Sequence, residues 1–401
     1  MITLADTPRD AAFRLELRTW LEHNLPDGWL EGRREVPHAE RARYEFYRAW
    51  QRRLYEGGWL APEWPRDHGG RGAGSREQMI YTEELARVDA PRILDNVGLG
   101  IVGPSLIGVG TDAQQRRFLP GILSAEEMWS LGFSEPNAGS DLASLRCKAE
   151  RDGDSWVITG QKVWSSRAHL AKWCLLLART DPQAPKHKGL SALLLPIDAP
   201  GLTIRPTRQL TGESEFCELF LDACRIPADH ILGPVNGGWA VIQTALGHER
   251  GTLWATEFKI RLEKGARSVA AMYNRLRRGG RVDPAQLGRL RGRIAQAWIE
   301  ATVFAAQTLR VLPLLEHATV APPEAALQKL FGSEIEQRIE ELALDLQGPF
   351  AQLYRDPAWM LDANDWQERY LYGRSVTISS GTSEIMRNLL AQRGLGLPRE
   401  S

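Results

Sequence analysis

Gly98-Leu99-Gly100-Ile101-Val102-Gly103 has the spacing with which a glycine-rich turn cradles a dinucleotide pyrophosphate. That chemistry needs a strand before the first glycine and a helix opening at the last. Arg92, Asp95 and Asn96 precede the match and Pro104 follows it directly, so it reads as a coincidence in a flexible loop between helices. The four cysteines, Cys147, Cys174, Cys217 and Cys224, form no Cys-x-x-Cys pair. Neither a zinc site nor a disulfide framework is indicated; idle or buried thiols in a reducing compartment are expected, and no metal.

More informative are Phe133-Ser134-Glu135-Pro136-Asn137-Ala138-Gly139-Ser140-Asp141 and Gly160-Gln161-Lys162-Val163-Trp164-Ser165-Ser166. In residues and in the spacing of the two halves they resemble the first signature of acyl-CoA dehydrogenases. Gly381-Thr382-Ser383-Glu384-Ile385-Met386-Arg387-Asn388, closing with Leu395-Gly396-Leu397-Pro398, is similar to the second. Glu83-Glu84-Leu85-Ala86-Arg87, Gly110-Thr111 through Phe118-Leu119-Pro120, Arg225-Ile226-Pro227 and His248-Glu249-Arg250 agree in order, so the resemblance covers nearly the whole chain.

The resemblance implies an FAD enzyme that oxidises an acyl-CoA, or a carrier-bound acyl thioester, between its α and β carbons. An electron-transfer flavoprotein would then reoxidise the cofactor. It places Phe133, Ser134, Gly139, Ser140, Trp164, Ser166, Thr382 and Glu384 at the cofactor. Trp164 would offer an aromatic wall and Ser166 a hydroxyl near the flavin N5. Ser140 would also contact the pantetheine arm, and Arg250 would lie near the substrate. Singly, Trp164 reads as a core tryptophan, Ser140 with Asp141 as a turn cap, and Arg250 as a surface ion pair. The full pattern favours the flavin reading.

Removing the α proton requires a carboxylate whose pKa is raised by an apolar pocket. Many family members carry it just before the Gly-Thr of the second signature, where this chain has Ser380. Serine without a base of its own cannot take that proton. The isovaleryl-CoA and long-chain branch places the glutamate on a bundle helix, directly before an arginine. Glu249-Arg250 occupies that place, so Glu249 is the expected base, with Glu257 a weaker candidate. Two other segments depart from the family. Asn274-Arg275-Leu276-Arg277-Arg278-Gly279-Gly280 stands where relatives have Arg-x-Phe-Gly, and Leu346-Gln347-Gly348-Pro349 where they have Gln-x-x-Gly-Gly. Both departures fall on adenosine-side contacts. They keep two rivals in play: a non-catalytic partner subunit of a heteromeric dehydrogenase, and a flavin-dependent monooxygenase on the same fold.

These residues need elements to hold them. Residues 8–127 read as helical, with Phe13, Leu17, Trp20 and Leu21 at helical spacing. Ser75 with Gln78 and Thr111 with Gln114 have capping-box spacing, and a turn-rich stretch runs from Pro62 to Gly74. From about 130 the pattern becomes strand-like: Trp156–Thr159 after an Asp152-Gly153 turn, Trp173–Leu177, Leu190–Ile197, Leu202–Ile204 and Phe216–Leu221. Long helical segments return over 237–276, 284–317 and 323–347, with a last helix over about 381–393. The expected fold is mainly α with a central β domain: an N-terminal helical domain over 1–128, a middle β barrel over 129–235 and a C-terminal four-helix bundle over 236–401. The loop around Leu94–Val102 and the helix at Leu246–Leu253 would shape the acyl pocket. Apolar residues on several faces of the bundle, as in Ala295–Ile299 and Val303–Ala306, predict a homo- or hetero-oligomer, with a tetramer expected. Fifty basic and 50 acidic residues cancel, so no nucleic-acid or membrane-surface partner is expected. No leader-like N-terminus and no apolar run of about 20 residues is seen, so a soluble cytoplasmic protein is expected.

Overall fold

A computed structural model describes residues 5–249, 252–279, 284–316, 322–354 and 365–398; for 244–249, 284, 286 and 315–316 it describes the backbone alone. The chain divides into two compact units, residues 11–249 and residues 1–10 with 250–401.

The first unit begins, from residue 11 on, with helices α1 (Pro8–Asn24), α2 (Glu40–Glu56), α3 (Ser75–Arg87), α4 (Gly103–Val109) and α5 (Asp112–Leu123). Glu84, nearly without exposure, gathers Arg14, Arg18 and Arg87 and so ties α1 to α3. The Thr111/Gln114 capping box forms as expected, each amide bonded to the other's side chain. The other box lies one residue earlier than its spacing suggested. Gly74 is the N-cap and its amide donates to Glu77, while Ser75 is the first helical residue and is buried. The Gly98–Gly103 stretch is not a loop. Residues Gly98–Val102 make a π-helical turn that runs straight into α4. Two of its glycines serve packing: a Cβ on Gly98 would meet Asp95 at 2.1 Å, and one on Gly103 would meet Trp64 at 2.1 Å.

Strands β1 (Trp129–Gly132), β2 (Lys148–Asp152), β3 (Ser155–Ser166), β4 (Trp173–Arg179), β5 (Leu190–Pro196), β6 (Leu202–Thr207), β7 (Phe216–Pro227) and β8 (Ile231–Leu232) follow, then helix α6 (Gly238–Glu249). The eight strands form one sheet in the order β6-β7-β3-β2-β4-β5-β8, with β1 paired to β4. Its inward residues make a single core, including all four cysteines, Trp156, Leu176, Leu193 and Leu219. Alternation slips at two bulges between β3 and β7. On β7 the inward set passes from Leu221 to Cys224, with Ala223 at φ +46°. On β3 it passes from Lys162 to Ser165, with Trp164 at φ +61°. Phe118 of α5 packs edge-on to Trp129 and Trp173, which stack on each other, joining helices to sheet. Helix α6 packs on β5, α4 and the π-helical turn.

In the second unit α7 (Thr252–Gly279), α8 (Pro284–Glu316) and α9 (Pro323–Gln347) pack against one another around Phe258, Phe304 and Ile339. The expected helical segment over 237–276 is helical over Gly238–Glu249 and Thr252–Gly279, and 250–251 lie outside the described residues. A short helix not foreseen, α10 (Trp366–Gly373), and then α11 (Ser383–Leu389) pack on α9. Among the described residues no helix is long and apolar enough to cross a membrane.

Candidate functional site

Strand β1 leads directly into residues 133–141, and four hydrogen bonds fasten β1 and that segment to β3. Val163 donates its N–H to the Ser134 carbonyl at 2.9 Å. Lys162 Nζ donates to the Phe133 carbonyl at 3.0 Å and to Glu135 Oε1 at 2.9 Å. Ser130 Oγ donates to the Ser166 carbonyl at 2.8 Å. The two halves of the first signature, some thirty residues apart in sequence, are therefore side by side. Glu135 also accepts the amides of Arg146 and Cys147 at 2.7 and 2.8 Å. Burial works to raise its pKa, but Lys162 and these bonds outweigh burial and hold the carboxyl below its ordinary value.

Alternation along β3 would turn Trp164 inward with Trp156, Ile158 and Lys162. The bulge turns it outward instead, 64% exposed, with Phe216 edge-on to it. A bulky residue in the left-handed region is strained, and such strain collects at functional sites. Trp164 is thus not the core tryptophan that its strand context alone would make it. Among the described residues no protein group bonds the Ser134 or Ser166 hydroxyls or the Trp164 indole N–H. An open aromatic face beside uncommitted polar groups fits a planar heteroaromatic ring with a polar edge.

Gly139 and Ser140 lie on an exposed turn, with open space where a Gly139 Cβ would be. The neighbouring Asp141 pairs with Lys186 at 2.8 Å, which holds the Asp141 carboxyl below its ordinary pKa. Glu249 is the last residue of α6; its side chain, and Arg250 altogether, lie outside the described residues. Beside α6, at the head of the π-helical turn, Asp95 is fully buried. One oxygen accepts the Gly98 amide at 2.8 Å, and burial raises its carboxyl to about 7. Nothing in the sequence separates Asp95 from a surface aspartate, and Lys162, although within a quoted motif, carries no sign there of its burial.

In the second unit, Thr382 caps α11 by accepting the Ile385 amide at 3.2 Å, and Glu384 beside it is exposed. Ser380 stands two residues earlier at φ +54°. Ser383, Glu384, Arg387, Thr377 and residues of α9 line a cleft of about 410 Å³. The buried Ser383 hydroxyl has no partner there. Glu257 lies on α7, open to solvent on one side; crowding by protein raises its pKa, and Arg261 opposes that. Gln347 is turned inward and bonded to Gln367 at 2.8 Å, and Asn274–Gly279 form the end of α7.

Three family models match the chain: acyl-CoA dehydrogenase N-terminal domain over 8–126, middle domain over 130–224 and C-terminal domain over 236–395. The chain is 40% identical over 399 residues to acyl-CoA dehydrogenase IpdE1 of Mycobacterium tuberculosis, covering 97% of this chain and 98% of that one. Among solved structures it is similar to the Tcur3481–Tcur3483 steroid ACAD, with a TM-score of 0.83 and 30% identity over the whole of both chains. The ChsE4–ChsE5 complex of Mycobacterium tuberculosis matches with a TM-score of 0.81 and 28% identity, again over the whole of both chains.

Proposed function

The chain belongs to the acyl-CoA dehydrogenase family of FAD-dependent oxidoreductases, and on that premise we propose that it dehydrogenates an acyl-CoA thioester between the α and β carbons. The observation that carries this reading is Trp164, turned out of the sheet by a bulge beside the open hydroxyls of Ser134 and Ser166. Trp164 packs on the ring system, while Phe133, Ser134 and Ser166 hold its polar edge. Gly139 leaves the turn open to close approach, and Ser140 takes the pantetheine arm. Thr382 and Glu384 keep the cofactor-binding roles that their motif implies. When bound, FAD supplies the two-electron acceptor. Glu249 takes the proton from Cα, and Arg250, next to it in sequence, serves substrate binding.

We further infer that the working form pairs this chain with a different one. The Tcur3481–Tcur3483 and ChsE4–ChsE5 neighbours are named as pairs. The inward-turned Gln347 supports the same reading, because it offers nothing at the place where relatives reach a neighbour's cofactor. The name of the first neighbour makes a steroid-bearing acyl-CoA the substrate class to try first. The test is anaerobic mixing of the FAD-loaded protein, alone and with its partner chain, with straight-chain and steroid acyl-CoA thioesters. Bleaching of the flavin supports dehydrogenation. Flavin that no thioester reduces, but that forms an oxygen adduct after chemical reduction, moves the chain to the monooxygenase reading. Protein that is colourless alone, in a pair whose flavin is held by the partner chain, leaves only the non-catalytic subunit.

A further inference from the structure

Resting on the flavin reading of residues 133–134 and 164–166, we propose that Lys162 is a positioning residue: it fixes the peptide unit between Phe133 and Ser134 so that its N–H faces the cofactor's polar edge. Lys162 has no exposed surface. It is the last inward residue of β3 before the bulge that turns Trp164 outward. A buried ammonium is costly unless it is paired and bonded. Here it has two acceptors, the Phe133 carbonyl at 3.0 Å and Glu135 at 2.9 Å.

The Phe133 carbonyl and the Ser134 N–H belong to one trans peptide, so they point in opposite directions. An ammonium on the carbonyl side, inside the sheet, leaves the N–H pointing away from that interior. Among the described residues no acceptor takes it. The flanking groups are already committed: the Ser134 carbonyl accepts Val163, and Glu135 and Ala138 exchange backbone bonds at 3.0 and 3.1 Å. The segment therefore cannot rotate this peptide without breaking several bonds. A charge-assisted bond on the carbonyl also polarises the unit and strengthens its N–H as a donor. One buried side chain thus sets the donor at the polar edge, next to the bulge that turns out the aromatic wall.

A purely structural ion pair would depend equally on both charges, whereas the proposal depends on the ammonium at Phe133. The test is fluorescence titration of apoprotein with FAD for the parent, for Glu135→Gln, and for Glu135→Gln combined with Lys162→Met. Far-UV circular dichroism checks the fold. The double change removes both charges together, so none is left buried alone. Glu135→Gln is expected to stay within about threefold of the parent, because the ammonium keeps its carbonyl. The folded double variant is expected to bind FAD about tenfold or more weakly. Its bound flavin should have a more negative reduction potential, since a lost donor destabilises the electron-rich reduced ring. Unchanged affinity and potential in the folded double variant overturns the proposal, as does a loss in Glu135→Gln as large as in the double. If the double variant fails to fold, Glu135→Gln decides by itself: parent-like affinity supports the proposal and a loss beyond about tenfold overturns it. A parent that takes up no FAD, alone or with its partner chain, overturns the flavin site itself, which is a separate failure.

Discussion

The indole of Trp164 meets the ring of Phe216 edge to face, with centroids 6.0 Å apart and planes at 83°, while its own backbone sits at φ +61°. A solvent-facing ring held in a strained conformation contributes little to its own fold. Trp164→Ala is therefore expected to leave the apoprotein's unfolding free energy within roughly 1 kcal/mol of the parent. It should weaken FAD binding by about tenfold or more, since a large aromatic contact is lost. Urea unfolding of the apoprotein and FAD titration measure the two separately. A large stability loss with unchanged FAD affinity would return Trp164 to a packing role.

Glu249→Gln is expected to keep FAD bound but to slow flavin reduction by acyl-CoA on the order of 10²–10⁴-fold. Gln keeps the shape of the side chain and cannot accept the α proton. Ser380→Ala should be mild. The cap of α11 is Thr382, not Ser380. Ser380→Gly should be neutral or slightly stabilising, because the position sits at φ +54°. Anaerobic stopped-flow isolates the reductive step. A Glu249→Gln variant that reduces as fast as its parent removes Glu249 from the mechanism.

The order of helices, strands and helices was legible because the apolar period changes near residues 130 and 237. Finer features were not. Strand alternation carries on through Trp164, and only a backbone slip reverses its direction. Lys162 reads as one more strand residue, because the partners that explain its burial lie 27 and 29 residues away. Gly74/Glu77 and Ser75/Gln78 satisfy nearly the same capping pattern, so spacing alone could not choose between them. The glycines at 98 and 103 matched a nucleotide motif for an unrelated reason, the close approach of Asp95 and Trp64. Helix α10, with eight residues, is too short for a periodic signal. The signature residues themselves were found by resemblance, and their grouping at β1 and β3 needed the fold.

Helix α8 leaves Trp298, Ile299 and Val303 at 45%, 54% and 42% exposure on its surface. A cluster of this kind calls for cover by another chain. The parent, with its partner chain where one is needed, is expected to be an oligomer by light scattering. Ile299→Lys should shift it to a smaller species, since a charge would be buried at the contact. A parent that stays monomeric at all concentrations, alone and with the partner, counts against the interface.

Glu340 of α9 is buried, its Oε2 has no partner, and burial raises its carboxyl to about 8. Glu336 on the same helix pushes the same way; Arg369 and Arg374 at α10 and Arg261 on α7 oppose it. The folded state therefore keeps a proton that the unfolded chain loses near its ordinary value of 4.5. Between about 4.5 and 8 the folded state binds more protons than the unfolded one, so this group lowers stability as pH rises through that window, and its effect levels off above it. Glu340→Gln should flatten that slope and raise the melting temperature at pH 8.5 by roughly 3 °C or more, with little change near pH 4.5. Glu257 and Glu263, also raised by burial, are present in both proteins, so the difference between variant and parent isolates Glu340. Thermal unfolding of the two proteins at a series of pH values is the measurement. A difference that does not grow with pH would mean that Glu340 is ionised in the folded protein and that its three arginine neighbours outweigh its burial.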